Sequence, residues 1–136
     1  MRRIVLDPSV LVSALINPGG SPGRLLSEIR AGAMEMIVSP LLLEELERVL
    51  RRNKFRRYVD LGEALEYLSL VRRNATFAPD PGHRTPLHSS DPDDDYLIAL
   101  AHGWSAVLVS GDKHLLDLAG NGAPILSPTD FLAAFV

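Results

Sequence analysis

The chain has 136 residues, 46% of them hydrophobic and 23% charged, with no cysteine and a formal net charge of −3. This balance excludes a disordered or fibrous polypeptide, and the length fits one domain, 1–136, burying about 68% of its unfolded surface. Disulfide frameworks, thiolate metal sites and cysteine nucleophiles are excluded as well, and the acidic charge argues against a general basic coat for nucleic acid while allowing a local basic patch.

In chain order, Ile4-Val5-Leu6 predicts a strand that is apolar on both faces and ends at Asp7. Arg2 and Arg3 ahead of an apolar stretch look like a signal peptide only until Asp7-Pro8 interrupts it. Ser9–Ile16 predicts a short helix closed by Asn17-Pro18-Gly19-Gly20. Ser21-Pro22 caps and starts a second helix, with Leu25, Leu26 and Ile29 on its apolar side, ending near Gly32. Met34–Val38 is a second strand, and Ser39-Pro40 opens a helix carrying Leu42, Leu43, Leu46, Val49 and Leu50. A basic stretch leads into an amphipathic helix through Leu61, Leu65, Leu68 and Val71, followed by a short strand at Thr76-Phe77-Ala78. Pro79–Ser90 reads as a loop, and Asp91–His102 as a helix capped by Asp91-Pro92. Ala106–Val109 is a third buried strand, Ser110-Gly111-Asp112 its exit turn, and Lys113–Ala119 a helix. Pro124–Leu126 is the last strand, and Ser127-Pro128 starts the terminal helix. Apolar strands alternating with helices predict an α/β fold with a central parallel sheet of about five short strands flanked by helices. No apolar run reaches the roughly 18 residues of a membrane helix. The expectation is a soluble cytoplasmic protein.

Ligands in open parallel sheets bind beyond the carboxyl ends of the strands. Asp7 and Asp112 stand at two such ends, and the Asp91–Asp95 cluster and the Glu44-Glu45 pair supply further acids. At about 100° per residue, Leu46, Leu42, Val49, Leu43 and Leu50 occupy roughly 120° of their helix. Glu45 flanks that arc and Glu44 points nearly opposite. The same count on Leu97, Leu100, Ala101 and Trp104 puts Asp93 and Asp94 on the core side and Asp95 away from it. Carboxylates gathered on one cleft repel one another without a counter-charge. A hard divalent cation supplies it, held by one or two carboxylates, waters and a substrate phosphate. Such an ion activates water for attack on a phosphodiester.

Four stretches, taken in order, resemble the PIN-domain ribonucleases, close to the VapC-like toxin component of type II toxin–antitoxin pairs. They are Val5-Leu6-Asp7-Pro8-Ser9-Val10-Leu11-Val12-Ser13-Ala14-Leu15, Glu45-Leu46-Glu47-Arg48-Val49-Leu50, Asp91-Pro92-Asp93-Asp94-Asp95 with Leu97–Ala101, and Val109-Ser110-Gly111-Asp112. The resemblance implies a PIN-like three-layer fold and a Mg²⁺- or Mn²⁺-dependent endoribonuclease. Asp7, Glu45, Asp94 and Asp112 would be its catalytic carboxylates, with Asp7, Asp94 and Asp112 as metal ligands. Ser9, Ser110 and Asp95 would line the site. The implied partners are an RNA substrate, a cognate antitoxin and a second copy of the chain, with no membrane. Pro8-Ser9 stands where the family often has Thr-Asn, and Ser110 where Thr is usual; the register within Asp93–Asp95 is open by one residue.

Each of these residues also has a plainer reading. Asp7 and Asp112 suit helix N-caps, and Glu45 suits a solvated helix face. Asp93–Asp95 suit a helix first turn. Arg48, Arg51, Arg52, Lys54, Arg56 and Arg57 form either an RNA-contacting rim or a solvated helix end. Phe55 and Tyr58 read as packing residues that could also stack on bases. The Leu61–Val71 helix is either core or a partner-binding face. His83, His88, His102 and His114 lack metal-ligand spacing and receive no catalytic role. Two further functions fit the elements: a PIN-like scaffold that binds RNA or protein without cutting, and a phospho-acceptor receiver-like domain. The receiver is disfavoured because the second strand ends in Ser39-Pro40 and the acids cluster late.

Overall fold

The computed structural model describes residues 1–81, 95–121 and 124–136. Its five strands are β1 (Arg3–Leu6), β2 (Glu35–Val38), β3 (Ala75–Phe77), β4 (Val107–Val109) and β5 (Ile125–Leu126). They form one all-parallel sheet in the order β3-β2-β1-β4-β5. Ile4 lies opposite Met36 on one side and Val107 on the other, so β1 is the central strand. Its residues Ile4, Val5 and Leu6 are buried whichever face they point to, which explains why the strand shows no polar alternation.

The described helices are α1 (Pro8–Ile16), α2 (Ser21–Arg30), α3 (Pro40–Leu50), α4 (Leu61–Arg73), α5 (Asp95–Gly103), α6 (Lys113–Leu116) and α7 (Pro128–Phe135). Proline stands in the first turn of α1, α2, α3 and α7, where its missing N–H would have no helical partner anyway. Asp7, Ser39, Asp60, Asp112 and Ser127 cap their helices through side-chain oxygens. α1 packs on α2 and α3, α3 on α4, and α2 on α7, while α5 packs on β1 and β4. Right-handed crossovers between parallel strands place α1–α4 on one face of the sheet and α5 on the other.

Strand bounds differ from the sequence expectation by a residue at most. The helix expected over Lys113–Ala119 divides into α6 and a 3₁₀ turn at Asp117–Asn121. The segment runs into Gly120, and short helix ends commonly tighten into 3₁₀ geometry. The basic stretch contains a second 3₁₀ turn, Asn53–Phe55. The expected helix start at Asp91-Pro92, most of the Pro79–Ser90 loop, His83 and His88 lie outside the described residues. The apolar stripe of α4 is used within the chain: Ala64, Tyr67, Leu68 and Val71 are buried, and the Tyr67 hydroxyl donates to the Leu11 carbonyl at 2.5 Å. Leu61 remains exposed. Among the described residues, no helix is long and apolar enough to cross a membrane.

The chain adds β2 and β3 on one side of β1, then returns to add β4 and β5 on the other. The direction of winding reverses between β1 and β4. Connections leave the carboxyl ends of those two strands in opposite directions and open a crevice between them.

Candidate active site

Asp7 is the first residue beyond β1, and Ser110 the first beyond β4. The Asp7 N–H donates to the Val109 carbonyl at 3.0 Å, carrying the ladder one step past the strand end. This brings both strand exits together at the crevice. Asp7 Oδ1 accepts the Ser9 N–H at 2.9 Å, and Oδ2 accepts the Ser110 hydroxyl at 2.8 Å. Ser110 Oγ in turn accepts the Asp112 N–H at 2.9 Å, and Asp112 Oδ1 accepts the His114 N–H at 2.8 Å.

The cap and the site are therefore the same residues. Asp7 caps α1 and Asp112 caps α6, yet each also lines the cleft. An ionised carboxylate offers about four lone-pair positions, so one capping bond leaves capacity for a cation or water. Pro8 does no harm to this arrangement, because Ser9 supplies the N–H that Asp7 needs. Ser110, expected to line the cleft, instead lies fully buried behind Asp7. Its hydroxyl works as the link between the two strand exits, and a linking position between two loops is sealed from solvent by both.

α3 delivers Glu45. Glu44 is exposed and Glu45 half-buried against the cleft, as the helical phase predicts. Glu45 Oε1 accepts the Tyr96 hydroxyl of α5 at 2.7 Å. Asp95 opens α5, is half-buried, and is not among the residues lining the cleft. α5 buries Ile98 and Ala99 as well as Leu97, Leu100 and Ala101. Asp91, Asp93 and Asp94 lie outside the described residues.

A cleft of about 620 Å³ takes in Asp7, Ser9, Glu45 and Asp112, and continues to Arg52, Lys54 and Phe55. The other members of the basic cluster are engaged elsewhere or face away. Arg51 pairs with Glu47 at 3.0 Å, and the Arg56 guanidinium donates to the Leu50 carbonyl at the end of α3. The Arg57 guanidinium sits over the Tyr58 ring, 5.4 Å from its centroid, and Arg48 is exposed outside the cleft lining. Lys54 Nζ lies 5.1 Å from the Phe55 ring centroid. Phe55 packs partly on the core and also borders the cleft, so both of its readings hold. The Tyr96–Glu45 bond joins residues 51 positions apart, and no local pattern in the sequence signals it.

The cleft carboxylates offer oxygen alone, which chemically matches a hard divalent cation. Among the described residues, no three His, Asp or Glu side chains gather tightly enough to hold an ion by themselves.

A family model for the PIN domain matches residues 3–114. The uncharacterized protein MJ1680 of Methanocaldococcus jannaschii is 31% identical over 117 residues, covering 85% of this chain and 74% of that protein. Two solved structures are similar in fold. PAE2754 from Pyrobaculum aerophilum matches with a TM-score of 0.66 and 19% identity, covering 97% of this chain and 88% of that one. VapBC2 from Rickettsia felis, bound to a DNA fragment from its promoter, matches with a TM-score of 0.63 and 16% identity, covering 92% of this chain and 97% of that one. The family match spans both strand exits and the helix that brings Glu45 to them, and the chain belongs to the PIN domain family.

Proposed function

We propose that this PIN-domain protein is a Mg²⁺- or Mn²⁺-dependent endoribonuclease and the toxin of a toxin–antitoxin pair, acting on RNA in the cytoplasm. One observation carries the reading: Asp7, Glu45 and Asp112 share a cleft with Arg52 and Lys54. Carboxylates attract a cation, and the basic residues attract the phosphates of the substrate. Asp7, Asp112 and Asp94 would hold the cation, and Glu45 would hold its waters. When bound, the ion supplies a lowered water pKa and neutralises charge developing on the phosphate. Asp7 is held by Ser9 and Ser110 before any ligand arrives, so its orientation costs little at the moment of binding. Arg52 and Lys54 would draw the RNA backbone along the cleft, and the Phe55 ring offers a surface on which a base can stack. The likeness in fold to VapBC2 supports a cognate antitoxin as partner, and a second copy of the chain is proposed as another.

The test is cleavage of a mixed pool of structured RNAs in EDTA, Mg²⁺ and Mn²⁺. Cutting is expected with either metal, none in EDTA, and none by Asp7→Asn, which keeps an oxygen to cap α1 and stays folded. Loss of cutting in Asp94→Asn with retention in Asp95→Asn would assign the fourth carboxylate. Cleavage retained in Asp7→Asn overturns the reading. Metal binding without cutting of any RNA in the pool would favour a non-catalytic scaffold.

A further inference from the structure

The three described carboxylates of the cleft are not held in the same way. Asp7 and Asp112 stand at helix starts, where unpaired backbone N–H groups orient them. Glu45 sits in the middle of α3, where every nearby N–H is committed to the helix. Its longer side chain turns about three bonds, and a half-exposed carboxylate on such a chain would wander among rotamers in water. Among the described residues, its side-chain anchor comes from a different helix: the Tyr96 hydroxyl of α5, at 2.7 Å.

We infer that Tyr96 is a positioning residue that holds the Glu45 carboxylate in the cleft for the divalent cation and its waters, an inference that rests on the function proposed above. The chemistry of the tether suits that task. The Tyr96 ring is partly buried and packs against the core, so the hydroxyl is delivered from a stiff support with two torsions. A phenol donates a hydrogen bond to the carboxylate without cancelling its charge. An arginine or lysine in the same place would hold Glu45 equally well but would neutralise the charge that attracts a cation. The bond uses one lone pair of Oε1, and a carboxylate has about four. Tyr96 thus does for Glu45 what the helix-start N–H groups do for Asp7 and Asp112. It also couples α3 to α5, the helix whose first described residue is Asp95, next to the acidic cluster.

The experiment uses the full chain and Mn²⁺ alone as probe, measured by calorimetric titration, beside RNA cleavage and metal-free thermal unfolding. Tyr96→Phe removes only the hydroxyl and keeps the ring. Loss of a residue that orients a metal-site group typically weakens binding 10–100-fold, so Mn²⁺ affinity is expected to fall roughly ten-fold. The metal-free melting temperature should fall by only a few degrees, the cost of a part-buried hydrogen bond. Added to Glu45→Ala, the same change should cause no further loss. Glu45→Asp, which withdraws the carboxylate from the hydroxyl and leaves Tyr96 packed, should reproduce the weakened binding. Unchanged Mn²⁺ affinity in Tyr96→Phe, or an equal loss in the Glu45→Ala background, overturns the tether while leaving the nuclease reading intact. A wild-type protein that binds no Mn²⁺ overturns the nuclease reading, and the role of Tyr96 with it.

Discussion

Ser110 shows how much one small side chain can organise. Its hydroxyl donates to Asp7 and accepts from the Asp112 backbone, so it joins the exits of β1 and β4 in full burial. Ser110→Ala should cost about 1–3 kcal/mol in urea unfolding, because a buried carboxylate oxygen and an N–H lose their partner together. Divalent-cation binding should weaken as well, which titration of the variant checks; unchanged binding would mean that Ser9 alone suffices to hold Asp7. Glu35, at the other end of the sheet, makes a different kind of prediction. The Thr76 hydroxyl at 2.8 Å, then Arg3 at 3.1 Å, hold its carboxyl below its ordinary value near 4.5. An acid whose folded pKa is lowered stabilises the fold while ionised. Its contribution is present above the unfolded value and is lost as pH falls through the lower folded value. Glu35→Gln should therefore flatten that part of the acid limb of the stability curve, read as urea midpoint against pH.

At the scale of elements, the α1–α2 connection and the α1–α4 hydrogen bond both hold α1, whose Ser9, Val12, Ser13 and Ile16 line the cleft. Gly23 lies in the first turn of α2, and a Cβ there would fall 2.1 Å from the Pro18 carbonyl oxygen. Backbone cannot yield as a side-chain tip can, so Gly23→Ala should destabilise the fold by roughly 1–3 kcal/mol. Thermal unfolding measures it, and an unchanged melting temperature would show that the turn can shift freely. Tyr67→Phe removes the hydrogen bond from α4 to the Leu11 carbonyl and should cost about 1 kcal/mol. The same scale explains which phase arguments succeeded. α3 has a wet side and a dry side, so counting residues separated Glu44 from Glu45. α5 is buried nearly all round, so the same count discriminates less there.

For the molecule as a whole, the strand order is the decisive feature. The sheet reverses its winding between β1 and β4, and Asp7 and Asp112 stand at that reversal, with Glu45 reaching it from α3. An ion that binds only the folded chain raises its stability by mass action, about 2.7 kcal/mol at a hundred times its Kd. Saturating Mn²⁺ should accordingly raise the melting temperature of the wild type by several degrees. Asp7→Asn should abolish that shift, and in EDTA should melt somewhat below the wild type, because one oxygen cannot accept from both Ser9 and Ser110. A metal-induced shift retained in Asp7→Asn would place the cation elsewhere.

The sequence by itself missed the Asp60 cap and expected Ser21 where Gly20 stands, but it determined the α/β class, the parallel sheet, the Ser39 and Ser127 caps and three acids of the cleft. These depend on local signals: apolar runs buried on both faces, Ser-Pro helix starts, and acids at strand ends. The tertiary structure alone decided that Ser110 is a buried link, that Arg52 and Lys54 turn to the cleft while Arg51 and Arg56 are bound elsewhere, and that Tyr96 holds Glu45. Those choices depend on partners that lie up to 103 residues apart along the chain. Propensity and periodicity describe a residue's neighbours along its own element, whereas such contacts exist only once the sheet has set the elements side by side.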